Sequence, residues 1–203
     1  MNYNNKLYTF TYYLSNFSMH FWDILHGTDF SYIDKSVETS INSPYYATPW
    51  ASIHNLRQYI KNDLDDGKNH KVIDLGCGKG YMLYIFSMHS FDKVSGIEYS
   101  RHLKQIASRN LRKLHMPTLP DIYRGDASLF REYSKYDVFY LYNPFDENTL
   151  QLVLGRIMDT LYNHPRTLYL IYCNPLYENV LVEYGWKEVS HFYYKTKVYI
   201  YEK

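Results

Sequence analysis

The sequence has few of the features that would place it outside the cell or in a membrane. Of its 203 residues only two are cysteines, Cys77 and Cys173, which is too few for a disulfide framework and indicates a reducing compartment. It contains no run of about 18 apolar residues, so we expect no membrane span. The N-terminus lacks the basic start and small-residue cleavage site of a signal peptide. We therefore expect a cytoplasmic protein.

The sequence also lacks an excess of charge of either sign, since 22 basic residues balance 21 acidic ones and the net charge is +1. Such a balance gives no global attraction to nucleic acid or to an acidic membrane surface. No internal repeat or low-complexity linker divides the chain, and its length favours one domain with a substantial core. Tyrosine, by contrast, is abundant, with 25 residues. We interpret these tyrosines as filling half-buried positions, with the apolar ring packed against the protein and the hydroxyl in contact with water.

From about residue 70 onward, strand patterns alternate with helix patterns. Strands are predicted at 71–75, 92–98, 121–126, 136–143 and 167–173, and helices at 81–88, 100–114 and 147–162. Two further strands, 187–194 and 197–203, are joined across Lys195 and Thr196 as a hairpin. The alternation favours a parallel sheet with helices on both faces. We predict an α/β fold with a Rossmann-like, doubly wound, mostly parallel sheet that ends in an antiparallel β-hairpin.

Residues 1–50 lie outside this alternation. One helix is predicted from apolar residues at helical spacing, namely Phe10, Leu14, Phe17, Phe21 and Ile24. A turn-rich segment, 26–49, follows it. We expect residues 1–50 to form a helical and loop extension packed over the end of the sheet, without being an independent domain, and residues 51–203 to form the main domain.

Three glycines stand in the stretch VIDLGCGKG, residues 72–80, directly after the first predicted strand. A glycine-rich turn at this point of a doubly wound sheet lets the backbone approach a ligand closely and opens into a helix N-terminus. The dinucleotide fingerprint G-x-G-x-x-G requires a sixth-position glycine, where this sequence has Tyr81. The pattern is instead D-x-G-x-G-x-G, starting at Asp74, which departs from nicotinamide-binding sequences.

This pattern resembles the first motif of class I S-adenosylmethionine (SAM) methyltransferases, and the resemblance covers roughly residues 70–203. Glu98 ends the second predicted strand about twenty residues beyond the glycines, where an acid contacts a ribose diol. Asp126 follows the third strand, and in the family this position often accepts a hydrogen bond from the adenine amine. The resemblance implies SAM as cofactor, S-adenosylhomocysteine (SAH) as product and no metal. The cofactor contacts it implies are Asp74, Gly76, Cys77, Gly78, Gly80, Glu98, Tyr99, Asp126, Ala127 and Asn143.

Each acid also has a structural interpretation. Asp74 could cap a turn, Glu98 could be a solvated strand end, and Asp126 could cap a helix that begins near Ala127. Their order at the carboxyl ends of successive strands, where such folds bind ligands, favours cofactor binding. Cys77 is interpreted as a small residue that fits between two glycines, without a nucleophilic role.

The fourth predicted strand ends in YNPF, residues 142–145, which resembles the [N/D/S]-P-P-[Y/F/W] motif of amino-methyltransferases. In that motif the first side chain and the following carbonyl accept hydrogens from a planar amine, and the aromatic ring stacks on it. This sequence is one proline short, so either Asn143 or Tyr142 takes the leading position. We predict Asn143, Pro144 and Phe145 as catalytic, with the amide oxygen of Asn143 as the acceptor. The alternative is that Asn143-Pro144 only turns the chain out of a strand.

The resemblance favours a nitrogen acceptor for the methyl group. A lysine must first lose a proton, which costs about 4–5 kcal/mol at pH 7, so a lysine site needs an apolar, aromatic channel. The segment SPYYATPW, residues 43–50, is expected to fold over the cofactor, with Tyr45, Tyr46 and Trp50 as the lid over the substrate. This arrangement loosely resembles the non-SET histone-lysine methyltransferases.

Several acceptors and one non-enzymatic role stay open. The acceptor could be a protein amine, a small-molecule amine or a nucleobase amine of RNA or DNA. A basic helix at 101–115 would suit nucleic acid, although a solvated helix face also explains it. Asp146 and Glu147 could accept a proton or simply begin a helix. A SAM-binding sensor or assembly subunit without chemistry is the rival from another class, and the sequence does not define an oligomeric state.

Overall fold

A sheet of seven strands forms the framework of the computed structural model, which describes residues 17–33, 45, 47–64, 66–192 and 195–202 without the side chains of residues 50 and 51. The strands are β1 (Lys71–Leu75), β2 (Lys93–Glu98), β3 (Asp121–Arg124), β4 (Val138–Tyr142), β5 (Leu168–Cys173), β6 (Lys187–Phe192) and β7 (Thr196–Tyr201). Their order across the sheet is β3-β2-β1-β4-β5-β7-β6. The first five run parallel, and β7 lies antiparallel between β5 and β6. The predicted mostly parallel sheet with a closing antiparallel hairpin is confirmed.

The helices of the described residues are α1 (17–26), α2 (Trp50–Tyr59), α3 (Tyr81–Phe86), α4 (Arg101–Lys113), α5 (Glu147–Asn163) and α6 (Glu178–Glu183). A π-helical turn, Ile60–Leu64, continues α2, and two 3-10 turns, Ala127–Leu129 and Tyr133–Lys135, precede β4. The sequence interpretation missed α2 and the short α6. The signal for α2 was present, because Ile53, Leu56 and Ile60 stand at helical spacing and are buried. None of these helices is long and apolar enough to cross a membrane.

Helices cover both faces of the sheet. On one face α5 packs an apolar stripe that contains Leu150, Val153, Leu154, Ile157 and Leu161. On the other face α2 and α3 pack around Leu56 and Phe86, and Leu83 and Leu111 join α3 to α4. The central strands β1 and β4 are therefore buried on both sides. In such a sheet, ligands bind in the crevice at the carboxyl ends of the strands.

Four tyrosines differ from the half-buried placement that the sequence suggested. Tyr133, Tyr136, Tyr140 and Tyr172 are among the largest fully buried side chains. The Tyr133 hydroxyl donates to the Ala127 carbonyl at 2.8 Å, and the Tyr136 hydroxyl donates to Ser95 Oγ at 2.9 Å. A buried hydroxyl without a partner is costly, so these bonds are what permits tyrosine in the core.

Helix α1 exists as predicted over its described residues, but its predicted apolar face is the wrong one. Phe17, Phe21 and Ile24 are 71%, 57% and 66% exposed, while Met19 and Asp23 are buried. The Asp23 carboxylate accepts hydrogen bonds from Thr28 Oγ1 and from the backbone amides of residues 30 and 31, which anchors this face of the helix. The remaining residues of the predicted stripe, 10 and 14, lie outside the described residues.

Candidate functional site

The glycine loop turns from the end of β1 toward β2. The backbone amides of Gly76 and Cys77 both donate to the Ile97 carbonyl, at 2.9 and 3.0 Å. Gly76 has φ +85°, and a Cβ at this position would lie 2.6 Å from Cβ of Pro144. Only glycine suits such a backbone conformation and such a contact. The predicted cofactor loop and the YNPF segment therefore touch each other directly.

Glu98, at the end of β2, is hydrogen-bonded to the glycine loop. Its Oε2 accepts from the backbone amide of Gly78 at 2.8 Å, and its Oε1 accepts from that of Ser100 at 2.7 Å. Burial raises the pKa of this carboxyl, and the backbone hydrogen bonds partly counteract that rise. Each carboxylate oxygen can accept a further hydrogen bond, as a ribose diol requires.

Asp74 is the second buried acid of the loop. Burial, and then the charge of Glu98, raise the pKa of Asp74 well above its ordinary value. Within the described ranges neither acid forms an ion pair with a basic side chain. Two neighbouring buried carboxyls without a cationic partner suit a ligand that brings positive charge. SAM carries a sulfonium and an ammonium group, and it fits these two carboxyls and the glycine backbone beside them.

The remaining predicted cofactor contacts lie around the ends of β2 and β3. Asp126 Oδ1 accepts from the backbone amide and hydroxyl of Ser128, at 2.8 and 2.7 Å, so Asp126 does cap the 3-10 turn that begins at Ala127. Its Oδ2 makes no hydrogen bond to a described residue, which leaves it available for an adenine amine. Ala127 is buried, and Tyr99 is 59% exposed directly after Glu98.

Asn143 follows β4 in the left-handed region, with φ +42°. Its Oδ1 accepts a hydrogen bond from the hydroxyl of Tyr172 on the neighbouring strand β5, at 3.0 Å. Burial raises the pKa of the Tyr172 hydroxyl to about 12, so it keeps its proton at neutral pH and can donate it. A hydroxyl has one proton to donate, so the amide of Asn143 is oriented with Oδ1 toward Tyr172.

The other end of the Asn143 amide, Nδ2, has no hydrogen-bond partner in the part of the chain that the structure describes. The residue is half-buried at the carboxyl end of the sheet, and its Nδ2 can donate to a ligand there. Phe145 is half-buried against the cluster beneath α5. Tyr172 escaped sequence reasoning, because only the pairing of β4 with β5 brings it to Asn143.

Tyr45 is the one lid residue whose side chain is described. Its ring atom Cδ2 lies 2.4 Å from the position a Cβ would take at Gly78, so the ring rests directly on the glycine loop. Its hydroxyl donates to the carbonyl of Phe30 at 2.9 Å. Trp50 begins α2, but its side chain and all of Tyr46 lie outside the described residues.

Lys79, within the glycine loop, ties that loop to the N-terminal segment. Its ammonium donates to Asp29 Oδ1 at 2.7 Å and to the Tyr32 carbonyl at 2.9 Å, and it lies 5.1 and 5.3 Å from the ring centroids of Tyr32 and Tyr45. Its side chain is 1% exposed. Buried lysines are rare unless they are paired. A lysine inside a loop that is expected to be buried therefore indicates a partner, and this was the signal in the sequence for the role of Lys79.

Cys77 is also buried within the loop, and its side chain packs on Gly96 of β2. Burial raises the pKa of the thiol, and the charges of Asp74 and Glu98 raise it further. A thiol in such surroundings is a poor nucleophile. This agrees with the interpretation of Cys77 as a small residue that fits the loop.

The sheet order, the glycine loop and the acids that end β2 and follow β3 define a SAM-dependent methyltransferase of the Rossmann-like class. The family model described as protein-L-isoaspartate(D-aspartate) O-methyltransferase matches residues 25–147, more than half of the chain. The chain belongs to this family. A search of curated protein sequences found no match.

Solved structures share the fold at low sequence identity. The methyltransferase domain of bacterial CtHen1 is 17% identical with a TM-score of 0.56, over 75% of this chain and 98% of that one. Magnesium protoporphyrin IX methyltransferase from Synechocystis PCC 6803, with bound SAM, is 14% identical with a TM-score of 0.53, over 74% and 79%. An rRNA methylase from Streptococcus thermophilus is 15% identical with a TM-score of 0.52, over 74% and 95%.

Proposed function

We propose that this methyltransferase transfers the methyl group to an oxygen, and that the acceptor is a carboxylate. The observation that carries the proposal is the orientation of Asn143, whose Oδ1 accepts from Tyr172 while Nδ2 has no hydrogen-bond partner among the described residues. An amide N–H donates to an oxygen lone pair and cannot accept a hydrogen from an amine. The family match supports the same choice, because the family name specifies O-methylation at protein L-isoaspartate or D-aspartate.

The chemistry of such a site is simple. Bound SAM supplies an electrophilic methyl group, whose transfer to a carboxylate oxygen gives a methyl ester and SAH. A carboxylate is already ionised at pH 7, so the protein needs no base, whereas a lysine first costs about 4–5 kcal/mol. In this proposal Asn143 Nδ2 donates to one carboxylate oxygen and leaves the other free to attack. Phe145 and Tyr45 exclude water around it.

For the cofactor we propose contacts with Asp74, Glu98, Tyr99, Asp126 and the backbone of residues 76–80. Two buried carboxyls beside bare glycine backbone support this assignment. Ala127, after β3, and Asn143, after β4, complete the proposed set.

A second candidate is transfer to a nitrogen, on a protein lysine, another amine or a nucleobase. The sequence of the segment favours it, since YNPF lies at the end of β4 and its Pro144 packs on the glycine loop. In this alternative Asn143 Oδ1 would use its second lone pair to accept a hydrogen from the amine.

The oxygen acceptor and the nitrogen acceptor can be distinguished by the stability of the methylated product in base. The chain is incubated with radiolabelled SAM and four peptides that differ at one position, which carries L-isoaspartate, D-aspartate, L-aspartate or lysine. Methyl esters release volatile methanol in mild base, whereas N-methyl groups remain attached. We expect base-labile label on a carboxylate peptide. Base-stable label, or label on the lysine peptide alone, would contradict the oxygen acceptor.

An Asn143→Asp variant tests the residue that carries the proposal. A carboxylate in place of the amide repels a carboxylate acceptor and removes its hydrogen-bond donor, so we expect about a hundredfold loss of transfer. Asn143→Ala, which removes the donor without adding charge, is the matched control and should lose less. Full activity in Asn143→Asp would remove Asn143 from the mechanism.

We further propose that residues 1–50 cover the cofactor site as an extension of the main domain, 51–203. The contact of Tyr45 with Gly78 and the ion pair between Lys79 and Asp29 support this. Asp29→Asn, which keeps the size and removes the charge, is expected to weaken SAM binding in calorimetry. Unchanged SAM affinity would separate the extension from the cofactor site.

A further inference from the structure

A cavity of about 430 Å³ lies between α1, α2 and α3. Its apolar wall consists of Trp22, Ile53, Tyr81, Tyr84, Ile85 and Met88. None of the residues proposed for cofactor or acceptor binding lines it. Its volume falls in the range of about 300–1,000 Å³ that is usual for small-molecule sites. We refer to it as the α1–α3 cavity.

The edge of the α1–α3 cavity is basic. His54, Arg57 and Lys61 follow one another at spacings of three and four residues, so they share one face of α2 and the turn that continues it. Gln58, on α2, and His89, after α3, complete the polar lining. No Asp or Glu is among the lining residues, and neither Arg57 nor Lys61 forms an ion pair within the described ranges.

We propose that the α1–α3 cavity binds an amphipathic organic anion, with an apolar body and one carboxylate head. Trp22, Tyr84 and Met88 offer the flat, polarizable surface on which an apolar body packs. The Arg57 guanidinium and the Lys61 ammonium match a carboxylate in charge and hydrogen bonding. A cationic ligand with the same apolar part would leave the charges of Arg57 and Lys61 unbalanced. The site should therefore bind an anion more tightly than a cation of equal size. This site is separate from the methyl-transfer site and does not depend on the acceptor proposed above.

The test uses the full chain and a fluorescent aromatic anion, 8-anilinonaphthalene-1-sulfonate. Dodecanoate and dodecyltrimethylammonium, which share the same alkyl chain, compete for it below their micelle concentrations. We expect dodecanoate to displace the probe at a concentration at least tenfold lower than the cation. Equal competition would overturn recognition of the anion and leave only an apolar surface.

Two charge variants then locate the site. Arg57→Gln/Lys61→Gln removes two exposed charges at the cavity, and Arg156→Gln/Lys187→Gln removes two exposed charges from α5 and β6, outside it. We expect at least tenfold weaker binding of dodecanoate in the first variant and a change within twofold in the second. Equal losses in both, or none in the first, would contradict the proposal.

Met88→Glu gives an independent check, because Met88 is 49% exposed and lines the cavity. A carboxylate there repels the anionic head, so dodecanoate binding should fall at least tenfold. Wild-type affinity in this variant would also overturn the proposed site. Melting temperature and SAM binding, measured in parallel, should match the wild type in all three variants, because none changes a residue of the cofactor site.

Discussion

Asn143 is the residue on which the choice of acceptor depends, and Tyr172 determines which of its atoms is offered. Replacing Tyr172 by phenylalanine removes the 3.0 Å hydrogen bond and lets the amide rotate. The loss of one such bond, about 1–1.5 kcal/mol, predicts roughly tenfold lower kcat. SAM affinity should stay within twofold, because no hydrogen bond joins this hydroxyl to the described residues of the glycine loop.

Steady-state kinetics and calorimetry on Tyr172→Phe check this expectation. Tyr177→Phe is the matched control, since it removes a neighbouring hydroxyl that is not bonded to Asn143. Equal losses in the two variants would indicate a general effect on the β5–α6 connection, with no special role for Tyr172.

The two buried carboxyls of the glycine loop predict a dependence on pH. Burial raises the pKa of both Asp74 and Glu98, so the folded, SAM-free protein holds protons that the unfolded chain has already lost. The contribution of these two carboxyls to the stability of the SAM-free protein is therefore fully present below their ordinary pKa values and is lost as the pH rises through the raised ones. SAM, as a cation, favours the ionised carboxyls, so its affinity should rise over the same range.

Calorimetry between about pH 5 and pH 7.5, in buffers of different ionisation enthalpy, measures the protons released on SAM binding. Asp74→Asn should reduce both the proton release and the loss of stability with pH. If the variant keeps the wild-type slope, other groups are responsible.

At the scale of single elements, an acid at the start of a helix can cap the helix or take part in the reaction, and substitutions can distinguish the two roles. Asp146 Oδ1 accepts from the backbone amide of Thr149 at 2.8 Å and so caps α5. Asp146→Ala should lower the free energy of unfolding by about 1 kcal/mol in urea and leave methyl transfer within twofold. Asp146→Asn, which keeps the cap and loses the charge, is the control. A large loss of activity in the asparagine variant would instead support Asp146 as a proton acceptor.

Elements with strong local patterns could be predicted from the sequence, and elements positioned by distant contacts could not. The buried strands β1, β4 and β5 and the amphipathic α4 and α5 follow from periodicity alone. The packed face of α1 does not, because it depends on the hydrogen bonds that the Asp23 carboxylate accepts from residues 28, 30 and 31, and not on the apolar stripe on the other side of the helix. In the site, the glycine loop and Glu98 were predictable from spacing, whereas Tyr172 and Lys79 act through partners far away in the sequence.

At the scale of the whole molecule, one buried polar chain joins segments far apart in sequence. Thr48 Oγ1 lies 2.7 Å from the Tyr140 hydroxyl, which donates to Cys173 Sγ at 3.3 Å, and that sulfur lies 3.2 Å from Thr196 Oγ1. The chain links the segment before α2 to β4, β5 and β7. It fixes the position of that segment against the sheet.

Tyr140→Phe should lower the free energy of unfolding by about 1–2 kcal/mol, because it leaves the buried Thr48 hydroxyl without its partner. Urea unfolding measures this loss. The double variant Tyr140→Phe/Thr48→Val removes both groups and should recover part of the stability. If the two single changes add fully in the double variant, the two hydroxyls are not coupled.

The burial of both cysteines has a practical consequence. Burial raises the pKa of Cys173 to about 11 and that of Cys77 well above its ordinary value, so neither thiol offers much thiolate to a reagent. Tyr162, by contrast, is 84% exposed on α5. A cysteine placed there would be the fast-reacting thiol among the three. The natural sequence can therefore carry one fluorophore or spin label at a chosen position without removal of its own cysteines.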